Sequence, residues 1–323
     1  MSRSALAVAE HRREVRIATT VVVANLMYLY GMNGEHAPGK AKIAGGTVST
    51  IQVNRGTGQD DPSMQPEYVM LTMDNDDAIC LTHVIASGNS AQWTWFGDLG
   101  YKCGADWYAS NYKVGDGTYT PRCVWLDRND SNTLRYAALA LHMPDFAGDE
   151  QGKVKEYQSD PDTLCKSTRR MKFYPSMPDD GTPPFFLPPL NYTTDGADVD
   201  FNHVKDQPKS RVRRFEDEEN SVLQKRGTSN PQPGHLVISG LDAHSANELC
   251  ESGSSYGPDF VSTVENTYCD MSAKKSWPLC DQNGITERCF DLQKQTMRVP
   301  AGGKMRRGQA VAGAKKYATS EKW

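Results

Sequence analysis

The sequence predicts a single β-rich α+β domain, braced by disulfides, with a long Pro-rich and charged loop insertion and flexible termini. Three observations lead there. Short apolar runs with strand periodicity alternate with Gly, Asn and Asp turn signals. Eight cysteines, Cys80, Cys103, Cys123, Cys165, Cys250, Cys269, Cys280 and Cys289, all fall inside the best-patterned stretches. Between those stretches, 66–166 and 233–292, the composition breaks sharply. Together the two hold roughly 160 residues, enough for one core.

Residues 1–65 read as a leader followed by a flexible lead-in. Arg12, Arg13 and Arg16 precede the apolar run Ile17–Tyr30, as a charged n-region precedes an h-region. The run is too short to span a bilayer. A buried strand or helix over Val21–Tyr30 is the competing reading. The first half of the domain, 66–174, opens with strands at Tyr68–Met73 and Ala78–Ile85 around the acidic turn Asp74-Asn75-Asp76-Asp77. The turn Ser87-Gly88-Asn89-Ser90 then leads into a strand at Gln92–Phe96, which makes a hairpin. A further strand is expected at Tyr119–Leu126. Leu134–Met143 fits helix by its alanines and strand by its position. Short helices follow at Asp149–Tyr157 and Pro161–Cys165.

Across 175–234 prolines bracket Phe185-Phe186-Leu187, and the charged stretch Lys209–Arg226 comes after them. Proline lacks the donor that a ladder needs, so an exposed loop is expected. The second half of the domain, 235–292, resumes with a strand at His235–Ser239. Ser245-Ala246-Asn247-Glu248 is a capping-box pattern opening a short helix. Residues 293–323 carry Lys304, Arg306, Arg307, Lys315, Lys316 and Lys322 against Glu321 alone beyond Pro300. This predicts a solvated, disordered basic tail.

Composition narrows the function classes. Formal charge is −4 and only 38% of residues are hydrophobic. Nothing in that balance suggests nucleic-acid binding. The even cysteine count without C-x-x-C points to disulfides and an oxidising compartment rather than zinc or thiol redox chemistry. Eight cysteines allow 105 pairings, so none is assigned. Asn129-Asp130-Ser131 and Asn191-Tyr192-Thr193 are glycosylation acceptors in predicted loops. Arg213-Arg214 and Lys225-Arg226 are dibasic pairs in the charged loop, where a kexin-like protease would find extended chain.

Motifs for catalysis are absent or broken. Gly253-Ser254-Ser255-Tyr256-Gly257 matches G-x-S-x-G, yet Pro258 follows and no histidine comes after His244. Gly34–Lys40 matches G-x-x-x-x-G-K, but Ala41 replaces the magnesium-binding hydroxyl. No H-E-x-x-H occurs, the acidic turn 74–77 lacks the remaining EF-hand ligands, and no metal or cofactor is expected. Asp98, Asp106 and Asp145 are the carboxylates that a glycosidase pair could draw on. A spatial cluster of His83, Asp98, His142 and Asp145 has no local sequence signal. Trp93 and Trp95 share one strand face and could stack on sugars, although filling the core is the preferred reading.

The segments Asp74–Cys80, Cys103–Tyr108, Pro121–Asp127, His142–Phe146, His244–Ala246, Leu249–Ser252, Gly257–Ser262, Cys269–Met271 and Pro278–Cys280 resemble a group of secreted, cysteine-containing proteins of filamentous ascomycete fungi. The similarity spans roughly 66–292 with all eight cysteines. It implies a fungal source and export, and carries over no catalytic residue. The expected function is therefore that of a non-enzymatic extracellular factor, wall-associated or host-directed, with wall glycans or host extracellular components as partners. A secreted polysaccharide hydrolase and a glycan-binding module are the alternatives.

Overall fold

The computed structural model describes residues 13–19, 25–30, 36–41, 48–53, 68–73, 78–87, 92–128, 134–148, 150–176, 184–186, 188–199, 232–282, 284–298 and 315–323. The chain divides into two compact units, Met1–Val212 and Arg213–Trp323. The β-rich character and the disulfide bracing stand, but the two patterned stretches do not pool into one core. Each is long enough to close a sheet of its own, so each buries its apolar residues locally.

Unit 1 carries two sheets. In the first, strands β1 (Arg13–Thr19), β4 (Val48–Val53), β6 (Ile79–Ser87), β8 (Trp107–Tyr108) and β9 (Cys123–Leu126) lie in the order β4-β1-β6-β9-β8, with β7 (Gln92–Phe96) also paired to β6. The second has β2 (Asn25–Tyr30), β3 (His36–Ala41), β5 (Tyr68–Thr72), β10 (Ala138–His142) and β11 (Met171–Tyr174) in the order β11-β10-β5-β2-β3. One apolar cluster takes Val69 and Leu71 from β5, Leu139 and Leu141 from β10, and Leu81, Val84, Trp95 and Val124 from the first sheet. The sheets are therefore layered on a shared core.

Strand β6 shows how sequence pattern becomes geometry. Its core residues run Ile79 and Leu81, then Val84 and Ala86. The parity flips because Thr19 pairs with Leu81 while Ala18 pairs with His83, leaving Thr82 as the extra residue of a bulge. The β6–β7 hairpin forms as the turn signal predicts, with Ala86 opposite Trp93 and Val84 opposite Trp95. Helix α1 (Gly97–Lys102) follows at once and presses on β9. A Cβ at Gly97 would overlap the Arg122 carbonyl oxygen, and one at Gly100 would crowd Val124 and Phe173. Helices α2 (Gln151–Ser159) and α3 (Asp162–Cys165) form near their expected places. Leu134–Met143 resolves as strand β10, buried along its whole length between β5 and β11.

Strands also form toward the ends: four lie within 13–53, and β1 and β2 pair antiparallel with β6 and β5. Those two partners are buried, and buried backbone groups need ladder partners on both edges. The basic tail is likewise ordered at 315–323.

Unit 2 builds a mixed sheet from β12 (His235–Ser239), β13 (Asp259–Ser262), β14 (Thr267–Asp270), β15 (Lys275–Pro278) and β18 (Thr319–Lys322), in the order β15-β14-β13-β12-β18. Strand β18 runs parallel to β12. All four of its side chains are exposed and polar, so it leaves no hydrophobic pattern to read. Strands β16 (Cys289–Asp291) and β17 (Thr296–Arg298) form a hairpin. Helix α4 (Ala246–Glu251) starts at the predicted cap, where Ser245 Oγ accepts from the Glu248 N–H at 3.0 Å. Glu265, rather than Glu248, takes the next donors, Ala246 N and Asn247 N.

All eight cysteines are paired, as Cys80–Cys123, Cys103–Cys165, Cys250–Cys269 and Cys280–Cys289. No bridge joins the units. Cutting the chain at its dibasic pairs is therefore expected to yield two fragments on a non-reducing denaturing gel. A full-length band that divides only after reduction would contradict the pairing.

Candidate functional site

The densest assembly of ionisable groups lies in unit 1, around Asp145. Strand β10 ends at His142, and a 3₁₀ turn over Met143–Phe146 folds the chain back through Pro144. The three-residue spacing returns the carboxylate to the imidazole, with His142 Nδ1 2.8 Å from Asp145 Oδ2. Arg170, just before β11, donates from Nη1 to Asp145 Oδ1 at 2.7 Å and from Nη2 to Asp198 Oδ2 at 2.5 Å. Its own carbonyl accepts the His142 N–H. From α2, Lys153 Nζ donates to the Pro144 carbonyl at 2.8 Å and stands 3.7 Å from Asp145 Oδ1. The irregular segment 188–199 closes the assembly: Tyr192 donates its hydroxyl to Asp145 at 3.2 Å and lies beneath the Lys153 ammonium.

Burial is nearly complete. His142, Asp145, Lys153 and Asp198 are at most 3% exposed and Arg170 not at all. Two carboxylates thus face two obligate cations in a low-dielectric site, the condition under which such charges are tolerated. Burial works to raise the Asp145 carboxyl, but His142, Arg170 and Lys153 prevail and hold it well below the usual carboxylate range. Glu156 moves upward, through burial and its hydrogen bond with the Asp198 carboxyl. Burial and the Asp145 charge push the Tyr157 and Tyr192 phenols up, so neither is an activated base near neutral pH.

The other candidates fall into separate ion pairs. Asp98 accepts from Arg122 at 2.9 Å and from the Tyr119 hydroxyl at 2.5 Å. Asp106 is fully buried and accepts from Arg135 N at 2.8 Å and Nε at 3.1 Å. Each of the three aspartates is thus neutralised by its own arginine, which is the signature of a scaffold salt bridge. His83 lies instead among Phe96 and Tyr112, and burial lowers it to about 4, leaving it neutral at physiological pH. Of the four-residue cluster considered from sequence, His142 and Asp145 are the two brought together. Among the described residues no group of three His, Cys, Asp or Glu is arranged to hold a metal.

Trp93 is 7% and Trp95 0% exposed, so both fill the core, as the preferred reading expects, and the sugar-stacking alternative fails. Both sit on the inner face of β7 and belong to the shared core, with Trp95 Nε1 3.3 Å from Met171 Sδ. Ser255 of the G-x-S-x-G match is buried, donates to the Leu249 carbonyl and touches the Lys274 ammonium. The segment leads into β13 rather than a helix. Gly34–Lys40 runs into strand β3, which also excludes a phosphate loop. Asn191 is exposed beside the Tyr192–Asp198 bridge, open to modification. Asn129, the 74–77 turn, Arg213, Arg214, Lys225 and Arg226 lie outside the described residues.

Sequence reasoning missed Arg170, Lys153, Asp198 and Tyr192. Lys153 stands in the segment read as a helix and the other three in irregular stretches, and all four converge around Asp145 only in the folded chain. Unit 2 holds a second buried centre that was also missed. Asp259 Oδ2 accepts from Lys315 at 2.8 Å, Tyr317 at 2.6 Å and Tyr268 at 3.1 Å, and Lys315 also reaches Asp270 at 2.5 Å. These contacts anchor 315–323. Among the described residues no helix is long and apolar enough to cross a membrane, a statement that leaves β-barrels aside. No protein-family model matches the chain, and no curated protein matches it.

Proposed function

We propose that the chain is a non-catalytic extracellular protein, a wall-associated or host-directed factor of a filamentous fungus. The observation that carries this reading is the pairing of all eight cysteines in four bridges. Such a complement survives in oxidising compartments and is rare where thiols are kept reduced. Wall glycans or host extracellular components are the partners this reading calls for, with a kexin-like protease acting on the dibasic segment. Glycosylation at Asn191, on an exposed turn, is part of the same reading.

Charge geometry supports the non-catalytic half. A retaining or inverting glycosidase needs two carboxyls roughly 5–9.5 Å apart with a sugar between them. Asp106 and Asp145 are buried and arginine-bound, and Asp98 is tied to Arg122 and Tyr119. Asp106 and Asp145 are thus out of a substrate's reach, and Asp98 alone does not make a pair.

Expression in a filamentous fungal host tests the proposal. The protein is expected in the medium, with a non-reduced mass lower by the eight hydrogens that four bridges remove. Retention in the cell with alkylatable thiols would refute it.

A further inference from the structure

We infer that the cleft at the carboxyl ends of the three parallel strands of unit 2 binds a neutral oligosaccharide. Strands β18, β12 and β13 run in the same direction, and the cleft opens where they end. Carboxyl ends of parallel strands are where loops diverge and ligand crevices form. The cleft holds about 510 Å³, within the range of small-ligand sites.

Its chemistry is that of sugar recognition. Ile238, Leu292 and the half-buried Trp323 indole supply apolar surface. A pyranose ring presents C–H faces that such a surface, and an indole above all, can cover. Thr263, whose hydroxyl donates to the Ser239 carbonyl at 3.0 Å, adds an acceptor, and Gln293 and Gln295 add two amides that can both donate to and accept from sugar hydroxyls. Among the described residues Lys322 contributes the one charged side chain of the lining, and no side-chain carboxylate is present. A lone ammonium beside two amides gives little hold on a phosphate, and the lack of side-chain carboxylates argues against a cationic ligand.

The site is also preorganised. Trp323 is pinned by its backbone N–H, which donates to the Ile238 carbonyl at 2.9 Å, and its own backbone carbonyl accepts from the Gly240 N–H at 3.2 Å. Its ring meets His244 and Phe260 at steep angles, with centroids 5.5 and 5.9 Å away. On the other wall, Asp291 caps the hairpin turn by accepting from Gln293 N and Lys294 N. Gln295 Nε2 donates to Ser320 Oγ at 3.2 Å, tying that turn to β18. Fixed walls lower the ordering cost of binding. Sugar binding at this cleft does not require export, so failure to bind and failure to be secreted are separate outcomes.

Gly240 provides the test. A Cβ there would meet only Thr263 Oγ1, at 3.6 Å, an ordinary contact, so a side chain can enter the cleft without disturbing the sheet. Full-length protein would be titrated with chitotriose, cellotriose, laminaritriose and mannotriose by calorimetry and by observing indole N–H shifts. At least one is expected to bind and to perturb an indole signal. Gly240→Leu should weaken that binding about tenfold or more, and Gln293→Ala, at an exposed side chain, about threefold, with circular dichroism unchanged. If Gly240→Leu does not fold, Gln293→Ala decides alone. No binding by any of the four, binding unaffected by the variants, or preferential binding of inorganic phosphate would each overturn the inference.

Discussion

Arg170→Met is expected to destabilise unit 1 by about 3–5 kcal/mol, the cost of leaving buried carboxylates without their cation. Arg170 is fully buried and bonds both Asp145 and Asp198. Methionine keeps much of the side-chain length but offers neither carboxylate a donor. Lys153, 3.7 Å from Asp145, compensates only in part. Urea denaturation followed by tryptophan fluorescence measures the loss. Adding Asp145→Asn and Asp198→Asn to Arg170→Met should recover part of it, because the stranded charges go too. A single variant within 0.5 kcal/mol of the parent would show that the assembly is not a structural lock.

The same cluster sets an acid limit. The Asp145 carboxyl is depressed, so its contribution is fully present above the ordinary carboxylate range and fades as pH falls through the folded value. Arg170→Met removes one of the charges that depress it, and acid unfolding of the variant should begin at higher pH than in the parent. Glu156 works with opposite sign. Its raised carboxyl contributes below its ordinary pKa and loses that contribution as pH rises. The cluster as a whole thus tolerates mild acid.

The second large effect is expected from Cys103→Ser combined with Cys165→Ser. This bridge closes a separation of 62 residues, the longest of the four, and joins the end of α1 to the end of α3. Chain-entropy arguments assign it about 4 kcal/mol, against about 3 kcal/mol for the nine-residue separation of Cys280–Cys289. The double serine variant should therefore lose more stability than Cys280→Ser with Cys289→Ser, as read from the urea midpoints. The reverse order would mean that native-state contacts, and not loop closure, set the value of these bridges.

The legible parts of the fold were those written into local pattern. The β6–β7 hairpin, β12 and the Ser245 cap each rest on residues within a few positions of one another, and each formed where expected. Strand β18 could not be found that way. Its four side chains are exposed, and it is ordered by ladder bonds to β12 and by Lys315 reaching Asp259 and Asp270. For the strands of 13–53 the apolar run Ile17–Tyr30 was visible, but an export segment and a strand share that hydrophobicity. The pairing of β1 with β6 and of β2 with β5 lies between segments far apart in the chain and has no local signal.

The candidate site divides in the same way. Asp145 was identifiable as a carboxylate close behind His142, and their contact follows from one turn of chain. Arg170 reaches Asp145 across 25 residues of separation, and Asp198 reaches Arg170 across 28, a convergence that no local signal encodes. Trp93 and Trp95 illustrate the converse. Alternation placed them on one face, but whether that face meets solvent or a second sheet depends on what packs against it.

By itself, then, the sequence determined the β-rich class, the position of the folded stretches, the disulfide content and the shared face of each alternating run. These follow from composition and from periodicities of two and 3.6 residues, which are properties of neighbouring positions. The tertiary structure alone decided the division into two units, the four bridges, the burial of the tryptophans and the arginine partner of each aspartate. Those depend on which distant segments share a low-dielectric interior, where charges must be paired and edges filled, and that is a property of the packed chain.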